Sequence, residues 1–139
     1  MSGSVHYLKD RGVDSEKITL NLGFVDLGRI DLLVQEGFYS NRTDLIRTAI
    51  RTHLDKHGEA LKESIVRHTL DVGLREFSRA DLEAARTAGE KLEIRVVGLA
   101  RIARDVPAEL ALATIESITV LGALQASDEV KAALAGRIG

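Results

Sequence analysis

The chain has 139 residues, 45% of them hydrophobic and only 4% aromatic, with no tryptophan and no cysteine. That suffices for one ordinary domain or two small ones around an aliphatic core, and it excludes disulfides, thiolate metal sites and a cysteine nucleophile. The formal net charge is −2, and residues 1–57 hold eight Lys/Arg against eight Asp/Glu, so any basic surface must come from placement rather than total charge.

No apolar run approaches the length that spans a bilayer, and the N-terminus has no leader pattern. The expected setting is cytoplasmic. Residues 1–15 are polar and rich in small side chains and are expected to form a mobile arm, with Lys9 and Arg11 as solvated tail charges. Lys17–Ile18–Thr19–Leu20–Asn21–Leu22 then alternates polar and apolar with period two, the pattern of a strand with one buried and one wet face. Nothing between there and residue 57 reads as a second strand. A lone strand leaves its backbone donors and acceptors unpaired, so the nearest available partner is the same strand of a second copy. Two copies would form a two-stranded ribbon displaying Lys17, Thr19 and Asn21 twice, and such a ribbon fits the DNA major groove.

The first helix is predicted from about Val25 to Glu36, with Leu27, Ile30, Leu33 and Val34 on one stripe and Gly37 as its stop. Asn41 is a good N-cap for a second helix reaching about His57, and Asp44 completes an Asx version of the capping box. Leu45, Ile46, Ala49, Ile50 and Leu54 form its apolar stripe. Arg47 and Arg51 lie four apart on a more polar side, where ion pairing with Asp44 or Asp55 is expected. Gly58 either interrupts this helix or is tolerated in a longer one.

Strand, helix, the Gly37–Phe38–Tyr39–Ser40 turn and the run Arg42–Thr43–Asp44–Leu45–Ile46–Arg47–Thr48–Ala49–Ile50–Arg51 together resemble the ribbon-helix-helix family, of the CopG and Arc type, over about residues 16–57. Two departures are modest: Gly23 stands where many members carry Pro, and Gly28 lies inside the first helix, which weakens it. The resemblance implies an intertwined homodimer that inserts its ribbon into the major groove, usually to repress transcription. It also carries a phosphate-anchoring role onto Ser40, Asn41 and Arg42, where the free N–H groups and the dipole of a helix N-terminus suit a phosphate oxygen.

Residues 59–72 are expected to form a third helix. Phe77–Ser78–Arg79–Ala80–Asp81–Leu82 is a further helix start, with Ser78 capping, Asp81 reciprocating and Phe77 stapling onto Leu82; that helix should end near Gly89. The last 48 residues hold a repeat of 24. Ile94–Gly98 aligns with Ile118–Gly122, and Val106, Ala108, Leu110 and Ala111 align with Val130, Ala132, Leu134 and Ala135. Each unit reads as a strand, a glycine turn and a short helical or irregular segment. Two units are few for a solenoid, and they are expected either to meet units of another chain or to form a small sheet.

The expected class is α+β: a flexible arm (1–15), a ribbon-helix-helix DNA-binding and dimerisation domain (16–57), a helical connector (58–90) and a small C-terminal α/β domain with the strand repeat, for oligomerisation or effector sensing (91–139). Lys17, Thr19 and Asn21 are the candidate base readers: Lys donates to guanine O6 or N7, Asn bonds adenine N6 and N7, and Thr bonds or touches the thymine methyl. His53 and His57 have metal-ligand spacing. The nickel-responsive members of the resembled family, however, use several His and a Cys in a C-terminal domain, and no His lies beyond position 68 here. No metal or other cofactor is expected, and His57 reads as a helix-end cation. With no nucleophile elbow, Walker loop or dinucleotide fingerprint, no enzyme is expected. The leading expectation is a homodimeric DNA-binding regulator, possible as a tetramer or larger through residues 91–139. The alternatives are an assembly protein that uses the ribbon only to dimerise, or an antitoxin with a protein partner on its C-terminal half.

Overall fold

The computed structural model describes residues 15–139. The expected arm, with Lys9 and Arg11, lies outside the described residues except for Ser15. The chain divides after Leu61 into two compact units.

The first unit contains helices α1 (Phe24–Gln35) and α2 (Arg42–Lys56) and the start of α3 (Gly58–Arg67). Helix α1 ends as its glycine requires. Gly37 adopts φ +86°, its N–H donates to the Val34 carbonyl, and the Phe38 N–H donates to Leu33. This is the Schellman arrangement, in which a left-handed residue lets the chain satisfy carbonyls the helix leaves open. At the start of α2 the Asn41 side-chain oxygen accepts from the Asp44 N–H at 2.8 Å. Asp44 reciprocates one residue further out than expected, accepting from the Ser40 N–H at 2.9 Å. His57 caps α2, and Gly58 opens a new helix.

Residues 15–23 enter neither a helix nor a sheet. The strand expected at residues 17–22 is thus absent from the single chain. Among the described residues it is neither paired nor curled into a helix, and a strand exists only with a hydrogen-bonded neighbour.

Helix α3 stops at Arg67, short of the expected 72. Thr69 turns the chain with φ 55°, its N–H donating to Val66 while the Leu70 N–H donates to Ile65. Strand β1 (Asp71–Phe77) follows, inside the stretch expected to be a helical connector. Then come α4 (Arg79–Ala88), β2 (Leu92–Ile102), α5 (Ala108–Thr114), β3 (Ile115–Gln125), α6 (Asp128–Ala133) and a 3₁₀ turn, Ala135–Arg137. The strands form one parallel sheet in the order β1-β2-β3, because each chain reversal is a helix that returns the chain to the same end.

The two-unit repeat is visible in the register: Ile94 pairs with Ile118 and Gly98 with Gly122. A third unit precedes it, since Gly73 pairs with Gly98. All three glycines have positive φ, and a Cβ at Gly98 or Gly122 would overlap the carbonyl of the preceding glycine in the column. The repeat therefore builds a small sheet, one of the two expected outcomes.

Burial alternates along β2, with Ile94, Val96, Ala100 and Ile102 inward. These residues pack with Ile118 of β3 and with Leu82, Leu110, Val130 and Leu134 from the helical layer. Helix α4 starts with the full capping box of Ser78 and Asp81 and ends at left-handed Gly89. Thr114, the one buried polar side chain among the described residues, donates to the Leu110 carbonyl at 2.8 Å. Arg137 donates to the Leu112 and Ile115 carbonyls, both at 2.7 Å, and so covers the C-terminal end of α5 with a cation.

Candidate nucleic-acid interface

Lys17, Thr19 and Asn21 lie in the extended approach to α1, and all three are exposed. The apolar residues between them are exposed as well: Ile18 by 80%, Leu20 by 60% and Leu22 by 36%. The segment continues into Phe24, 92% exposed, and Val25. An alternating segment that is bare on both faces has a hydrophobic side with nothing packed on it, which water opposes by roughly 25 cal/mol per Å² of apolar surface.

The second candidate group, Ser40, Asn41 and Arg42, is brought together at the N-terminus of α2. Asn41 caps the helix as expected, while the Asp44 return bond and the partner of Arg42 differ from the expectation. The Ser40 N–H is taken by the Asp44 carboxylate and the Asn41 side chain by the Asp44 N–H. The Arg42 guanidinium forms a two-pronged bond with Asp31 of α1, Nε to Oδ1 and Nη2 to Oδ2, each 2.8 Å. Such planar fork pairing fixes orientation as well as charge. The hydrogen bond from Arg42 holds the Asp31 carboxyl below the usual carboxylate range, and Asp31 in turn raises Arg42. Arg42 is therefore a strut between α1 and α2. The donors left for an anion include the N–H groups of Arg42 and Thr43 in the first helical turn, where the dipole is favourable.

Asp31 carries no signal that residue-by-residue reading catches, because its partner lies eleven positions away across the turn. Arg47 and Arg51 are exposed and make no ion pair within 4 Å among the described residues, so the expected pairing with Asp44 or Asp55 is not formed; Asp44 is committed to the cap. The His53 and His57 rings meet edge to face, 5.1 Å between centroids. Among the described residues no three His, Asp or Glu side chains cluster so as to hold a metal ion, and no helix is long and apolar enough to cross a membrane.

An extended segment with alternating faces, a helix, a left-handed glycine stop and a capped second helix now stand in order. The family model for ribbon-helix-helix transcriptional regulators matches residues 13–131. The chain belongs to that family. No curated protein and no solved structure shows a significant match. The match to the ribbon-helix-helix regulators extends well past residue 57, where the residue-based resemblance ends, and takes in all three strands of the sheet. Membership implies DNA binding and dimerisation. In chain order, the extended segment Lys17–Leu22 precedes α1 and α2.

Proposed function

We propose that the protein is a homodimeric, sequence-specific DNA-binding regulator that acts as a repressor. Two copies of residues 17–22 pair as a ribbon, and Lys17, Thr19 and Asn21 read base edges in the major groove. The first turn of α2 binds backbone phosphate through the Arg42 and Thr43 N–H groups, with Ser40 and Asn41 shaping the turn. Arg42 itself acts through Asp31, setting the angle at which that turn is presented. The observation that carries this reading is the bare alternating segment 17–22, whose apolar residues Ile18, Leu20 and Leu22 stand exposed among the described residues. Residues past 61 add oligomerisation or effector sensing.

Binding of the purified protein to its own upstream DNA across a salt series tests the reading, because phosphate contacts make log affinity fall linearly with log salt. Lys17→Ala and Asn21→Ala should each erase about 1–3 kcal/mol of base discrimination and leave the oligomeric state unchanged. Equal binding by both variants and the parent would refute the base-reading role. An assembly protein is the second reading, favoured by the near-neutral charge and by the uncovered sheet face of the second unit. An antitoxin role fits less well, because that unit folds around a core of its own rather than trailing as an extended charged tail.

A further inference from the structure

Within the second unit, the helix-free face of the sheet carries exposed apolar surface. By register, Val72, Val97 and Leu121 form a row across the three strands, and Leu74, Leu99 and Ala123 form the next row beyond the glycine column. Val72 is 66% exposed, Leu74 53% and Leu121 59%. Parallel sheets are ordinarily covered on both faces, whereas here the buried cluster lies on one.

We propose that this face docks on the same face of a second copy. The rims favour that occupant. At one end of the stripe lies Arg95, with Glu93 two residues out along β2, and at the other end lie Glu76 and Arg101. Each rim pairs one acid with one base, so two identical faces meet without a like-charge field, while a polyanion or an anionic lipid surface finds no basic patch.

The sheet edges are poorer sites. The β1 edge is guarded by Glu76 and by the Asp71–Arg75 ion pair at 2.9 Å, the kind of charge that blocks strand addition. The start of β3 is taken by the Ile118–Ile138 bridge. Size points to a tethered copy. The part of the sheet in which all three strands run side by side is about seven residues long and offers on the order of 300–400 Å² per copy, below the roughly 800 Å² per partner of a standard interface. The contact is too small to hold free chains together. It is sufficient for chains already joined elsewhere, where the effective concentration is about millimolar. The inference rests on the proposed dimer for that proximity alone.

The chain lacks cysteine, so a nitroxide on Thr119→Cys, exposed at the rim beside Arg95 and outside the apolar rows, labels one site per copy in the full-length protein. Pulsed electron–electron resonance without DNA should give an interchain distance below about 35 Å, since packed sheets lie about 10 Å apart and the length of the stripe and the label arms add the rest. Adding Leu99→Lys, which puts a charge in the middle of the stripe, should abolish that distance while the circular dichroism spectrum is retained. A label on Thr19→Cys reports the ribbon separately. A short distance from position 19 with none from position 119 overturns the face contact and leaves the dimer standing. A short distance from position 119 that survives Leu99→Lys also overturns it, because the contact then lies elsewhere.

Discussion

The two units of this chain solve burial in opposite ways. After residue 61, residues such as Leu82, Ile94, Ile118 and Val130 are all but removed from water. Before it, neither α1 nor α2 contains a buried residue, and Ile18, Leu20, Phe24 and Val25 stand open. Both stretches carry good local signals, with left-handed glycine stops at Gly37 and Gly89 and side-chain caps at Asn41 and Ser78. Local signals therefore suffice to form helices, but only the second unit completes a core from its own residues. In the described part of the first unit neither helix buries a residue, and helices gain most of their stability when packing covers their apolar faces.

The sharpest way to break this contrast is a pair of truncations. Ile118→Ala should cost about 2–5 kcal/mol, as expected for emptying a packed aliphatic site, and the loss should be independent of protein concentration. Leu20→Ala should cost about 1.5–3 kcal/mol per chain, expressed as a weaker dimer, so that the melting temperature of the first unit falls on dilution. Denaturant and thermal melts over a hundredfold concentration range distinguish the two. Equal concentration dependence for both variants would erase the contrast between the units.

A smaller effect is expected at Thr69, a β-branched residue at φ 55°. Left-handed geometry costs a non-glycine residue about 1–2 kcal/mol, so Thr69→Gly should stabilise the second unit by about 1 kcal/mol, after the greater freedom of glycine in the unfolded chain offsets part of the relief. A chemical denaturation midpoint that moves downward would contradict this.

The smallest effect concerns acid. Asp31 is held below its ordinary pKa by Arg42, so its contribution is fully present above the unfolded carboxylate value of about 3.9 and is lost as pH falls through the lower folded value. Asp81 follows the same sign in the second unit, where the backbone and hydroxyl of Ser78 lower it. In an acid titration followed by circular dichroism, Asp31→Asn should remove part of the pH dependence of the first unit and leave that of the second. An unchanged profile would mean that the strut carries no stability.

Much of the fold was legible because its signals are local. Gly37, Asn41, Ser78 with Asp81, and Gly89 act over three or four residues, and Ile94–Gly98 against Ile118–Gly122 is a repeat that the register reproduces. Strand β1 was not legible. It lies one residue off the 24-residue period, and Asp71 and Arg75 stand where β2 has Val96 and Ala100, so the apolar pattern is broken where the sheet meets solvent. The Asp31–Arg42 strut was hidden for a different reason. It joins two helices across a turn whose geometry no single segment encodes. The same limit applies to residues 17–22, whose alternation is plain while no described residue pairs with them; the proposed partner is a second copy.

That pairing is what the regulator reading depends on, and a single nitroxide on Thr19→Cys in the otherwise cysteine-free protein tests it most directly. A six-residue antiparallel ribbon is about 20 Å long, so any register places the two labels within about 25 Å of each other, and dilution with unlabelled chain should reduce the dipolar modulation without shifting the distance. A protein that gives no interchain distance at micromolar concentration, or one only beyond about 40 Å, would contradict a ribbon shared between two copies.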